Sequence, residues 1–229
     1  MTIGAATEQS PAMKFLITAG PTREPIDPVR FLSNRSSGKF GYAIASAAAE
    51  AGHEVVLISG PVAIPAPIQP HVRVITVETT RQMYEAVEAR IREMDVAIMT
   101  AAVADYRPTH FEPNKIKKTQ NANPVIHLEK TEDILGSARE TMGFGGVLVG
   151  FAAETERLAE YATDKLERKR CDLIVANDVS RKDIGFDSDL NEISLFFAGG
   201  KSQLLPRRSK AELAVELVEI IGKIKREVP

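Results

Sequence analysis

The chain has 229 residues, 44% of them hydrophobic, and sets 29 Lys and Arg against 31 Asp and Glu for a net charge of −2. That is enough apolar material for one large or two small packed domains, and the near-neutral balance excludes a general pull toward nucleic acid or anionic membranes. A lone cysteine, Cys171, excludes an internal disulfide, and the four histidines, His53, His71, His110 and His127, show no zinc-ligand spacing.

In chain order, residues 1–12 lack a basic segment followed by an apolar run, so a flexible tail is expected there and not a signal peptide. Residues 14–18 form a short apolar strand that stops at Ala19-Gly20-Pro21. A long loop, residues 20–37, leads to an Ala-rich helix over 38–51, with Gly52 placed to end it. Residues 55–58 read as a second buried strand, and the Pro-rich stretch 61–70 as an extended connection. A strand over 72–77, a helix over 79–94 and an apolar strand over 96–100 follow. Residues 106–125 read as a polar loop. Further on come a helix over 132–142, a strand over 147–151, a helix over 155–170 and a strand over 173–176. Residues 193–197 and 202–205 flank Gly199-Gly200 as a β-hairpin, and an amphipathic helix over 209–225, capped by Ser209, closes the chain. No run of about 18 apolar residues offers a membrane span, and the cytoplasm is the expected compartment. Alternating strands and helices, with early strands apolar throughout, predict an α/β fold. The expected form is a Rossmann-like, doubly wound, mostly parallel sheet with a C-terminal antiparallel hairpin and helix, in a single domain over 13–229.

In such sheets ligands bind beyond the carboxyl ends of the strands. Four strand ends carry small residues followed by polar groups: 18–23, 100–107, 151–155 and 176–180. The 20–37 loop exceeds the roughly 12–15 residues beyond which loops in compact domains are usually functional. It carries Thr22, Arg23, Asp27, Arg30, Asn34, Arg35, Ser36 and Ser37, and delivers Asn-Arg-Ser-Ser-Gly to a helix N-terminus, where free N–H groups and the helix dipole favour an anion. A Walker loop is excluded because Gly38-Lys39 is followed by Phe40. A dinucleotide fingerprint is disfavoured by the long first loop and by Ser59-Gly60 where an acid would stand. No Ser/His/Asp hydrolase pattern is visible. Lys165 and Lys169 project near the middle of their helix's apolar arc, among Leu158, Tyr161, Ala162 and Leu166. They either snorkel or point at an anion such as a triphosphate. Lys115, Lys117 and Lys118 form a basic knot, read either as a solvated loop or as a phosphate contact. Asp105 and Glu154 are candidate partners for a nucleotide or Mg²⁺.

The motifs GPTREPID, RFLSNRSSGKFG, AAVADYRP followed by KIKK, VGFAAET and ANDVS closely resemble those of the phosphopantothenate–cysteine ligases, amide-forming enzymes of coenzyme A biosynthesis. The resemblance covers residues 14–224. It implies that CTP and Mg²⁺ serve as co-substrate and cofactor, that 4′-phosphopantothenate and L-cysteine are the substrates, and that an acyl-cytidylate links the two half-reactions. It also implies a homodimer, with residues 193–205 at the interface, and a flavin-dependent decarboxylase as fused or separate partner. By the same resemblance Asn34 and Lys115 are catalytic. Gly20, Ser36, Ser37, Gly38, Asp105, Lys115, Phe151, Lys165 and Lys169 bind nucleotide, and Arg30, Asn34, Ala102 and Asn177 bind substrate. Glu132, Asp133, Ile134 and Leu135 occupy the place of a nucleotide-cradling Pro-Asp-Ile-Val run, with Glu132 departing from proline. Two other readings differ in their tests: an oxidoreductase on a similar sheet would bind NAD(P), and a non-catalytic module would bind nucleotide without releasing pyrophosphate.

Overall fold

The computed structural model describes residues 11–117, 125–178 and 188–227. The chain opens with β1 (Lys14–Ala19), apolar on both faces and buried at every residue after Lys14. The excursion behind it holds a small hairpin, β2 (Arg23–Pro25) and β3 (Phe31–Ser33). Helix α1 (Lys39–Glu50) then leads to β4 (Glu54–Ser59) and β5 (Val72–Thr76). Helix α2 (Thr80–Glu88) begins at a capping box: the Thr79 hydroxyl accepts the Gln82 N–H, and the Gln82 side chain accepts the Thr79 N–H. Beyond Glu88 the expected longer helix gives way to a separate 3₁₀ turn (Ile91–Glu93) before β6 (Val96–Met99).

A second small hairpin, β7 (Tyr106–Pro108) with β8 (Leu128–Lys130), lies in the region read from sequence as loop. Helix α3 (Ile134–Glu140) starts two residues later than expected because the Asp133 carboxylate caps it, accepting the Gly136 N–H at 2.9 Å. Strand β9 (Val147–Glu154) runs three residues past its apolar stretch. Helix α4 (Leu158–Arg168) begins after Arg157, whose left-handed backbone (φ 47°) breaks the preceding chain. β10 (Leu173–Asp178), β11 (Leu190–Phe197), β12 (Ser202–Ser209) and α5 (Lys210–Glu227) complete the order. Ser209 caps α5 as expected: its hydroxyl accepts the Glu212 N–H at 3.2 Å, and Glu212 accepts the Ser209 N–H at 3.0 Å.

The main sheet runs β12-β11-β10-β9-β6-β1-β4-β5. The six strands from β10 to β5 are parallel, and β11 and β12 are antiparallel. Apolar side chains cover both faces. On one side β1, β4 and β9 pack on Ile44, Ala45 and Ala48 of α1 and on Leu213, Leu217 and Ile221 of α5. On the other, Leu16, Ala97, Leu148 and Ile174 meet Met83 and Val87 of α2, Ala138 of α3, and Ala162 and Leu166 of α4. Each buried Leu or Ile contributes roughly 1.5–3 kcal/mol. The sheet is built outward in both directions from β1 and β6, so the switch point of the doubly wound order falls between those two strands.

Candidate functional site

A cavity of about 500 Å³ opens where β1 and β6 end, floored by Thr18 and Met99. That lies within the usual range for a small-molecule site, roughly 300–1,000 Å³. Asp105 enters from the loop after β6, Glu132 to Leu135 from the start of α3, Phe151 from β9, and Lys165 and Lys169 from α4 and its C-cap. Every residue of the α3, β9 and α4 groups expected from the sequence is therefore in one place. The two lysines share a wall because positions four apart lie on one helix face.

Their surroundings differ. Lys165 Nζ donates to the Phe151 carbonyl at 2.7 Å, and burial holds its pKa below the ordinary lysine value, with Glu154 opposing the effect. Lys169 is ion-paired with Asp133. Burial pushes the Asp133 carboxyl up, but Lys169 and the Gly136 N–H outweigh it and leave the pKa below the usual range. Glu132 behaves similarly: burial raises it, while hydrogen bonds from Arg107 at 3.0 and 3.1 Å and a contact from Arg81 at 3.5 Å bring it below normal. Glu132 thus ties the start of α3 to β7 and α2.

Phe151 also borders a smaller recess, about 60 Å³, at the N-terminus of α1. Ser36, Ser37, Gly38, Thr100 and Asn177 line it with Asn191 and Lys210. Asn191 and Lys210 are buried and were not singled out from the sequence; they lie far down the chain, outside the motifs. Glycines make the close approach possible. Gly20 and Gly38 both have φ 75°, and a Cβ on Gly38 would stand 2.7 Å from Val62 Cγ1 and 3.3 Å from the Gly20 Cα. A Cβ on Gly41 would come within 2.6 Å of both Ala19 Cβ and Thr100 Oγ1. Tight turn, close approach and helix–strand packing are the three tasks of a dinucleotide glycine fingerprint. Here they are divided among glycines separated by the β2–β3 excursion.

That excursion is bound to the loop after β6. Asn34 Nδ2 donates to the carbonyls of Ala102 at 3.1 Å and Val103 at 2.8 Å, and Ala102 N–H donates to the Gly20 carbonyl at 3.0 Å. Asn34, Ser36 and Ser37 line a groove along the excursion, and the two serines also face the recess. Beneath lies a buried network that sequence reading missed. Glu24 accepts the Thr80 N–H at 2.8 Å, Thr22 and Thr80 hydroxyls meet at 2.9 Å, and Thr22 Oγ1 accepts the Ala104 N–H at 2.9 Å. Its partners are distant in sequence, so no local pattern announces it. Lys115 and Arg30 line neither the cavity nor the recess. Lys115 is exposed, and Arg30 is paired with Asp27 and donates to the Ile116 carbonyl at 3.1 Å. Lys118, Val179 and Ser180 lie outside the described residues. Among the described residues no group of three or more His, Cys, Asp or Glu side chains could hold a metal ion, and no helix is long and apolar enough to cross a membrane.

Comparison with known proteins accords with this geometry. Residues 11–224 match the family described as the DNA/pantothenate metabolism flavoprotein C-terminal domain. The chain is 46% identical over 207 residues to the coenzyme A biosynthesis bifunctional protein CoaBC of Vibrio vulnificus, covering 90% of this chain and 51% of that protein. Against CoaBC of Escherichia coli K12 it is 46% identical over 211 residues, covering 91% and 51%. The chain thus spans about half the length of the curated relatives it matches. A crystal structure of the C-terminal domain of CoaBC superposes with a TM-score of 0.81 at 42% identity, covering 96% of this chain and 100% of that one. A doubly wound sheet, a polar cavity at its switch point and this agreement along the chain place the protein in the DNA/pantothenate metabolism flavoprotein C-terminal domain family.

Proposed function

We propose that the chain joins 4′-phosphopantothenate to L-cysteine at the expense of CTP, giving 4′-phosphopantothenoylcysteine, CMP and pyrophosphate in coenzyme A biosynthesis. The observation that carries this reading is the pair of α4 lysines set into the switch-point cavity beside Asp105 and Phe151, with the Asn34 loop bound to the cavity's rim. Two ammonium groups suit a polyphosphate. In the first half-reaction an oxygen of the phosphopantothenate carboxylate attacks the α-phosphorus of CTP, pyrophosphate leaves, and an acyl-cytidylate forms. In the second, the cysteine amine attacks the activated carbonyl, loses a proton and expels CMP. Lys165 and Lys169 offset phosphate charge, residues 132–135 and Phe151 hold the nucleoside, and Lys115 contacts the phosphate undergoing transfer. An Asn34 amide beside the reacting carbonyl stabilises developing negative charge, an effect worth about 2.7–4 kcal/mol at such sites. Mg²⁺ would be held chiefly by the nucleotide phosphates, with Asp105 as the nearby carboxylate, and would supply further neutralisation of charge. The enzyme acts in the cytoplasm as a homodimer, with a flavin-dependent decarboxylase as its fused or separate partner.

Pyrophosphate release measured with each of the four nucleoside triphosphates, with phosphopantothenate and with or without cysteine, tests this. CTP should support release without cysteine and amide formation with it; equal rates with ATP would remove the cytidine assignment. Asn34→Asp should still release pyrophosphate while failing to form the amide, and normal turnover by that variant would take Asn34 out of the mechanism.

A further inference from the structure

The lysine-bearing segment 111–117 is fastened to the Asn34 loop by one ion pair. The Asp27 side chain is fully buried. Its Oδ1 accepts the Val29 N–H at 2.9 Å and the Arg30 N–H at 2.8 Å, a turn that the carboxylate itself closes. Its Oδ2 accepts Arg30 Nε at 3.0 Å and, from across the gap, the Ile116 N–H at 3.1 Å. Arg30 Nη2 then continues to the Ile116 carbonyl at 3.1 Å. Ile116 is therefore gripped at both its N–H and its C=O by the two halves of a single salt bridge. A second tie, Glu112 N–H to the Ile26 carbonyl at 3.0 Å, runs alongside. Ile116 stands between Lys115 and Lys117, both exposed.

Ordering a backbone residue costs about 1–2 kcal/mol, so an exposed, polar segment holds a defined place only where something grips its peptide groups. A buried carboxylate that spends one oxygen on its own loop and shares the other between Arg30 and a residue 89 positions away does that beside Lys115. We propose that Asp27 is a positioning residue: through Arg30 and the Ile116 peptide it fixes Lys115 relative to Asn34 for the step that releases pyrophosphate. This rests on the ligase reading above, in which Lys115 contacts the phosphate under transfer. Misplacement of a reacting group by 1 Å can cost on the order of 10²-fold in rate. Asp27 stays ionised in the fold, since first Arg30 and then the backbone donors hold its carboxyl well below the usual range.

Asp27→Asn keeps the shape and the Oδ1 contacts while removing the charge that holds Arg30. Ile116→Pro removes the N–H that Asp27 accepts while keeping the carbonyl that Arg30 reaches, and leaves the Asp27–Arg30 pair intact. Pyrophosphate release is compared among the native chain, each of these, Lys115→Gln, and the Asp27→Asn/Lys115→Gln double variant, with Ile116 amide exchange followed in every chain that keeps Ile116. Either single clamp variant should lower kcat/KM about 10- to 100-fold. The double variant should fall within about threefold of Lys115→Gln alone, because residues acting as one unit are not additive. Ile116 exchange should accelerate at least about tenfold in Asp27→Asn, as expected when a protecting hydrogen bond opens. Losses that multiply in the double variant, or a clamp variant with native kinetics, would overturn the positioning role. Unchanged exchange would overturn the clamp itself, whatever the activity. A native chain that releases no pyrophosphate would instead bring down the ligase reading.

Discussion

Lys165 is a charged side chain held in a buried setting at the cavity wall. Its burial depresses its pKa, so the folded chain holds this proton less tightly than the unfolded chain does. The cost is present in full below the depressed pKa and fades as pH rises from there toward the ordinary lysine value. Lys165→Met should therefore raise Tm near pH 7 by on the order of 2–4 °C. The gain should shrink at alkaline pH, and the KM for nucleotide should rise. Calorimetry across pH with parallel kinetics checks this, and a variant with lower Tm and native KM would show that the lysine only packs. Cys171, by contrast, is buried in the core, and that burial pushes its thiol up to about 12. The α4 lysines were legible because helical spacing set them in an apolar arc. The Thr22–Glu24–Thr80 network was not, because Thr22 and Thr80 lie 58 residues apart and nothing local ties them. Arg30 and Lys115 were singled out from the long loop and the basic knot as well as from family likeness, but the tie from Arg30 to Ile116, the neighbour of Lys115, joins residues 86 positions apart that no motif links.

At the level of elements, the apolar runs of β1, β4, β6, β9 and β10 announced themselves, and so did α5 with its serine cap. The three-residue hairpins did not: β8 is exposed throughout, so it has no inward face to imprint a period of two. Helix α1 is the element on which the recess depends, and its closeness to β1 is set by Gly41. Gly41→Ala would place a methyl 2.6 Å from Ala19 Cβ. Overpacking of that kind costs typically 1–3 kcal/mol. Denaturant unfolding should show that loss at unchanged m-value, together with a lower nucleotide affinity as the helix N-terminus is pushed away. Stability equal to the native chain would mean that α1 has slack the packing does not show.

For the whole molecule, alternation of strand and helix was enough to expect a doubly wound sheet. The strand order was beyond sequence, because it depends on which strands pair and not on what any one contains. The antiparallel pair β11–β12 extends that sheet to one edge, where β12 carries Pro206, Arg207 and Arg208. Proline and charge are common guards of an exposed edge. Sedimentation velocity on the purified chain should give twice the chain mass if the proposed homodimer forms; Leu204→Asp, at an exposed position of β12 within residues 193–205, should then separate the copies, and an unchanged mass would take that position out of the interface. Gly20 and Gly38 lie almost against one another, so the seventeen or so residues between them leave the scaffold and rejoin it at nearly a single point. Lengthening such a detour costs only about 0.6 kcal/mol per doubling. Changes in length confined to that detour could accordingly reshape the groove it lines while leaving the switch-point cavity of the sheet in place.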